Sequence, residues 1–204
     1  MTPFQALALG AFVLGLQACA TPDAHKDHAT PAAGKSGAQH EMGMHREGMA
    51  QHMQDMMAKM AAASLSPAAS GGATGLVMFH AKGEDLMVHV KASGFAPGSE
   101  HGFHVHEKGN CASADFTSAG GHFNPHASAH GPQDAAHHAG DMPNLVADAY
   151  GKVDQKFMLK GVALKGANGL LGRAVIVHAE PDDFKTQPTG NSGARMACGV
   201  IAGH

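Results

Sequence analysis

Residues 75–91, GLVMFHAKGEDLMVHVK, decide the fold class. In the second half Leu86, Val88 and Val90 alternate with Met87, His89 and Lys91. That period of two puts every second side chain on one face of a strand. Lys82-Gly-Glu-Asp between the halves is turn chemistry, so the stretch reads as two strands joined by a tight turn. Working outward, similar strand-like runs fall at 61–67, 102–107, 144–150, 152–160, 173–178 and 196–201. Two long polar, Gly/Pro-rich stretches, 108–143 and 179–194, separate them. Long loops inside a compact domain are usually functional. Composition agrees with many short strands and turns: nine Phe, one Tyr, no Trp and 27 Gly, most of them after residue 70.

The 204 residues suit one domain of ordinary size plus an additional segment at one end. Formal net charge is −3 and no Lys/Arg run stands out, so nucleic acid is not an expected partner. The unusual counts are 17 His and 13 Met. Imidazole suits zinc and copper, and thioether suits soft copper(I), so the composition points to metal chemistry.

Residues 1–19 read as an export signal, with an apolar stretch over 6–16 too short to span a bilayer. Leu16-Gln-Ala-Cys19 resembles a bacterial lipobox, which would lipidate Cys19, anchor the chain to the membrane and place it in the periplasm. Simple cleavage by an ordinary signal peptidase is the competing reading. Residues 20–59 form an extension. Up to about residue 39 it is Ala/Pro/Gly/Lys/His-rich without apolar period, a flexible linker. From 40 to 60 it becomes HEMGMHREGMAQHMQDMMAKM. Met49, Met53, Met56 and Met60 recur at spacings of three and four, which places them on one helical face with His45 and His52 beside it. A helix packing its Met face on the domain is one reading. The other is extra copper or zinc held by His25, His28, His40, His45, His52, Met42, Met44, Met49, Met53, Met56 and Met60.

His104-Val-His106 sits in a strand-like run, where residues i and i+2 share a face and can grip one ion. Gly120-Gly-His122-Phe-Asn-Pro125, His130, His138-Ala-Gly-Asp141 and His178 follow. The chain then closes on Gly190-Asn-Ser-Gly-Ala-Arg195-Met-Ala-Cys198-Gly-Val-Ile201. His101, His126, His80 and His89 read as structural or surface histidines, and Lys185 as a solvated loop charge. His137 adjoins His138, and the H-x-x-D spacing to Asp141 favours the latter.

Taken in order, GFHVHEKGNC, SAGGHFNP, HHAGD, VIVHAE and GNSGARMACGVI resemble the successive signature segments of copper/zinc superoxide dismutases. The resemblance covers residues 60–204. It implies an all-β Greek-key barrel or sandwich of about eight strands with two long functional loops, preceded by a flexible or partly helical extension. It also implies one copper and one zinc per subunit. Copper would be held by His104, His106, His122 and His178. Zinc would be held by His122, His130, His138 and Asp141, so that His122 bridges. Asp182 would link a copper histidine to a zinc histidine. Arg195 would guide superoxide and, with His122, serve catalysis. Cys111 and Cys198 would form the intrasubunit disulfide, and once Cys19 is set aside they are the even pair expected in an oxidising compartment. The implied activity is dismutation of superoxide. An inactive dismutase-like copper chaperone or metal buffer is the alternative. Monomer and homodimer both stay open.

Overall fold

The computed structural model describes residues 36–203. Cys19, His25 and His28 lie outside them. Helix α1 spans Ser36–Met57, and nine strands follow: β1 Met60–Pro67, β2 Thr74–Lys82, β3 Asp85–Ser93, β4 Glu100–His106, β5 Asp141–Val146, β6 Lys152–Leu159, β7 Ala174–His178, β8 Arg195–Val200 and β9 Ala202–Gly203. All the pairings are antiparallel, in the order β5-β4-β7-β8-β1-β2-β3-β6, with β9 on β1. The two ends of this path meet through Gln155 of β6. Its Nε2 donates to the Asn144 carbonyl at 2.9 Å, and its Oε1 accepts from Val146 N at 3.2 Å. The eight long strands therefore make a nearly closed barrel. Around it β4, β5 and β6 run in sequence order while β3 and β7 flank them, the Greek-key arrangement.

Alternation builds the core. Leu86, Val88 and Val90 on β3 face inward with Val77 and Phe79 of β2, all at or near zero exposure. They meet Phe103 and Val105 of β4 and Val175 and Val177 of β7 in one apolar cluster. Strands β4 and β7 differ from the rest because nearly every residue on both of their faces is buried. Their outward side chains are covered by the long loops. Ile176 and Ala174 pack under Phe116 and Ala119 of the first loop in a second, smaller cluster with Cys198. His104 and His106 of β4 lie on this covered outer face, so the loops roof a site built on the outside of the barrel.

Strand β5 and helix α1 differ most from the sequence reading. Strand β5 begins at Asp141 and ends at Val146, whereas the pattern suggested 144–150. Pro143 lowers the strand signal, yet β5 lies at one end of the pairing path, where a missing N–H is tolerated. The register with β4 also slips there, between His101 and Phe103. At the far end, the Asp148 carboxylate accepts from Tyr150 N and Lys152 N at 2.8 and 2.9 Å and makes a turn of what looked like strand. Helix α1 begins at Ser36, inside the expected linker. It stops at Met57, so Met60 is not on the helical face but opens β1, paired with His80.

The side chains of α1 are described from Arg46 onward. Met49, Met53, Met56 and Met57 are 68, 61, 54 and 46% exposed, so this methionine face is not packed into a core. Among the described residues no helix is long and apolar enough to cross a membrane.

Candidate metal centre

The centre starts from strand parity. Phe103 and Val105 point into the barrel, so His104 and His106 must point out, opposite Ile176 and Ala174 of β7. A register shift after Val177 sets His178 opposite Arg195 of β8. The loop then returns alongside β4: Phe123 N donates to the Val105 carbonyl at 2.8 Å, and Val105 N donates to Gly140 at 2.8 Å. This lays His122 against His106. Gly140 is required by the closeness of that approach, since a Cβ there would run into the Val105 carbonyl and stand 3.1 Å from Phe123 N.

Two buried donor groups result. His104, His106, His122 and His178 form one, and His122, His130, His138 and Asp141 the other, with the donor atoms of each group within 4.8 Å of one another. His122 belongs to both.

Hydrogen bonds show how each ring is set. His106 Nδ1 donates to the Gly120 carbonyl at 2.9 Å, and His178 Nδ1 donates to the Gly193 carbonyl at 3.3 Å. His104 Nε2 and His130 Nε2 donate to the two oxygens of Asp182 at 2.7 and 2.9 Å. Each of these four rings thus spends one nitrogen outward and turns its other nitrogen inward. The unpartnered buried atoms include His104 Nδ1, His106 Nε2, His122 Nε2, His178 Nε2, His130 Nδ1 and His138 Nδ1. Buried imidazole nitrogens without a partner are costly unless something occupies the space between them. A cation is the group that fits, since lone pairs converge and no donor faces them. The second group adds the Asp141 carboxylate, with Oδ1 3.0 Å from His122 Nδ1 and 3.3 Å from His138 Nδ1, and Oδ2 2.9 Å from His130 Nδ1. An all-nitrogen set beside a three-His, one-carboxylate set matches a copper and a zinc, respectively.

Charge follows the same division. Burial pushes His104 down to about 4, although Asp182 opposes the shift. Burial likewise lowers His178 to about 3 and His106 to about 2, with Gly120 opposing the latter. These rings stay neutral, the form that binds metal. His130 is also disfavoured as a cation by burial, but Asp141 and Asp182 outweigh that and raise it to about 9. For Asp141 and Asp182 burial favours the neutral acid, yet their histidine partners hold both carboxyls well below the usual range.

Arg195 stands beside the all-nitrogen group. Its two terminal nitrogens donate to the Phe116 and Gly120 carbonyls at 2.6 Å each. Gly120 therefore fixes both Arg195 and His106. A depression of about 540 Å³ opens on Arg195, lined also by Thr117, Gly193, Ala194 and Asp115. The Cys111–Cys198 disulfide, Cα to Cα 5.9 Å, ties the first loop to β8 three residues from Arg195.

Residues 73–201 match the family described as copper/zinc superoxide dismutase (SODC). The chain belongs to that family. It is similar to the superoxide dismutase-like protein YojM of Bacillus subtilis, 45% identical over 127 residues, 59% of this chain and 65% of that one. It is also similar to superoxide dismutase [Cu-Zn] 2 of Aquifex aeolicus, 43% identical over 124 residues, 57% and 71% of the two chains. Among solved structures, a double mutant of a SOD-like protein from Bacillus subtilis matches with TM-score 0.62 and 42% identity, covering 70% of this chain and 97% of the other. The clock protein EA4 matches with TM-score 0.64 and 35% identity, covering 72% and 96%. Membership of the dismutase family implies copper and zinc, and the two histidine groups are where this chain could bind them.

The remaining histidines separate clearly. His101 is a structural residue, with Nδ1 2.8 Å from the His178 carbonyl and Nε2 2.7 Å from the Ser99 hydroxyl. His137 is exposed, with Nδ1 2.7 Å from its own turn's Ala135 carbonyl, whereas His138 lies in the second donor group. Sequence reasoning missed the supports. Asn144 receives Asp182 N at 2.9 Å and donates to its carbonyl at 3.0 Å. Gln187 clamps the His130 backbone from both sides at 2.8 Å. Gly190, at φ 65°, lies so close to Asp182 Oδ1 that a Cβ would overlap it. Its place in the GNSG run was the only signal available.

Proposed function

We propose that the protein dismutates superoxide in the cell envelope, using one copper and one zinc per subunit. The observation that supports this most strongly is the pair of donor groups sharing His122, with Arg195 at the mouth. Bound copper would supply a one-electron couple at His104, His106, His122 and His178, and bound zinc a fixed charge at His122, His130, His138 and Asp141. The chain's own residues do the rest. Arg195, held rigidly by two carbonyls, offers an incoming anion a guanidinium that does not deprotonate. Asp182 orients His104 and His130 together. His122 Nε2 has no protein partner, so a proton can be held there while Nδ1 stays against Asp141. Two superoxide anions and two protons give one dioxygen and one hydrogen peroxide, and His122 is placed to pass on one of those protons. That such enzymes work near the diffusion limit with electrostatic steering is a general property of superoxide dismutases.

One relative is named only dismutase-like, so an inactive copper chaperone or buffer is the competing function. The complete nitrogen set together with Arg195 favours the enzyme, since storage has no use for a cation placed to receive an anion. His104→Ala and His178→Ala decide the site. Each should lose copper and activity while the barrel stays folded, because neither ring contributes to the core. Full copper loading with unimpaired dismutation in either variant would refute the assignment.

The Cys111–Cys198 bond suits an oxidising compartment such as the periplasm. We further propose that the His/Met-rich extension gathers copper for the barrel, a tethered ligand raising local concentration. Deletion of residues 20–58 should leave activity intact in excess copper and impair loading when copper is scarce. Equal loading at low copper would end that idea.

A further inference from the structure

The pairing register lines up side chains that are far apart in sequence. Met60 of β1 faces His80 of β2, His80 faces Met87 of β3, and Met87 faces Met158 of β6. All four point away from the core, because their neighbours Ala61, Phe79, Leu86, Val88 and Leu159 are the buried ones. One continuous row across four strands is therefore thioether, imidazole, thioether, thioether. The adjacent row on the same face adds Met78 opposite His89. Directly opposed residues on antiparallel strands have Cβ atoms about 4.5–5.5 Å apart. His80 thus stands between two flexible thioethers, each able to lean over its ring.

A solvent-facing row would ordinarily carry β-branched, charged or small polar residues. Methionine has no such preference for strands, and only Met158 reaches 41% exposure, Met60, His80 and Met87 being half-buried. His89 is already engaged, with Nε2 2.6 Å from Asp154 Oδ1. Helix α1 also leads straight into this row. The Lys59 carbonyl accepts from Ala81 N at 2.8 Å, so the chain leaves Met57 at the helix end and enters β1 at Met60 opposite His80.

We infer that the outer face of β1, β2, β3 and β6 carries a soft-metal site distinct from the catalytic centre. His80, Met60 and Met87 are its donors, Met158 stands at its edge, and a monovalent copper(I) ion is its ligand. Thioether–imidazole sets select soft Cu(I) over zinc or harder divalent ions. The site shares no residue with the two buried donor groups, so it stands whether or not the barrel dismutates superoxide.

The test uses the full chain, loaded with copper and zinc and kept reduced, with ¹³C-methyl-labelled methionine. Silver(I), equally soft and monovalent, is the probe. The Met60 and Met87 methyl signals should shift together and saturate. In His80→Gln both shifts should be lost, while Met49 and Met53 of α1 respond as before and the catalytic metal content is unchanged. Met60 and Met87 signals that ignore silver, or that shift identically in His80→Gln, would overturn the site. Signals that respond to protein concentration and not to silver would mark the face as a methionine-rich contact between copies, and would overturn it equally.

Discussion

Replacing Asp182 by Asn would change one atom and unsettle both donor groups. The carboxylate accepts from His104 Nε2 at 2.7 Å and from His130 Nε2 at 2.9 Å, and all three side chains are fully buried. An amide presents one oxygen and one NH₂, so only one of the two imidazole N–H groups can still be accepted. The other ring meets a donor and must take its other tautomer. That moves its hydrogen onto the inward nitrogen, Nδ1 in both rings, where a metal would bind. Charge-assisted hydrogen bonds contribute about 1.5–3 kcal/mol each. Loss of an outer partner of a metal-binding histidine costs about 10–100-fold in affinity, which is about 1.4–2.7 kcal/mol. The two estimates agree on the loss of one such bond. Phe184 N, which donates to Asp182 Oδ1 at 2.7 Å, can still be accepted by the amide oxygen, and Asn144 bonds only the unchanged backbone. The loop should therefore stay in place. Competition against chelators, run separately for copper and zinc, should show one metal weakened by one to two orders of magnitude. Undiminished affinity for both metals would refute the idea that Asp182 sets the tautomers.

Arg195→Glu should retain both metals and lose dismutation rate, most steeply at low ionic strength, because a negative charge would then meet the anion; metal analysis beside stopped-flow rates checks this, and copper loss would show a structural role instead. Replacing both cysteines, Cys111→Ser with Cys198→Ser, removes a cross-link between positions 87 residues apart, worth about 4–5 kcal/mol in the chain-entropy model. Denaturant unfolding should register a loss of that order together with faster metal release, and unchanged stability would contradict it. For metal-free protein, His104, His106 and His178 are lowered to about 4, 2 and 3 from 6.5, so the unfolded chain binds more protons than the native one below pH 6.5. Stability should then fall as pH drops from about 6.5 towards 3. His130, raised to about 9, acts oppositely: its contribution is present below 6.5 and lost as pH rises through 9. A melting temperature flat between pH 7 and 4 after chelation would contradict both the burial and the neutrality of the three rings.

The strands legible in the sequence were those that bury one face. Leu86, Val88 and Val90 display their period locally, and so does the shared face of His104 and His106. Strand β5 lies several residues earlier than the local pattern suggests, because pairing with β4 overrides Pro143 at its start and the Asp148 turn ends a run that looks extended. The ligand rings could be named through resemblance, but their supports could not. Asn144, Gln187 and the Gly120 carbonyl act through hydrogen bonds whose partners lie tens of residues away. The Met60–His80–Met87–Met158 row is the clearest case. Met87 is visible as an outward position on its own strand, whereas Met60 reads as helical, and alignment of the row depends on three cross-strand registers that no local pattern specifies.

The central claim is that His104, His106, His122 and His178, with Arg195 beside them, make a catalytic copper centre rather than a store. Purified protein loaded with defined amounts of copper, zinc filled throughout, should be assayed for superoxide decay by pulse radiolysis with bound copper quantified in the same samples. Activity should rise in proportion to bound copper, saturate at one equivalent per chain in the barrel, and vanish in His104→Ala. A chain that fills this site with one copper and one zinc yet leaves superoxide decaying at its uncatalysed rate would contradict the claim and leave the barrel a copper-binding protein.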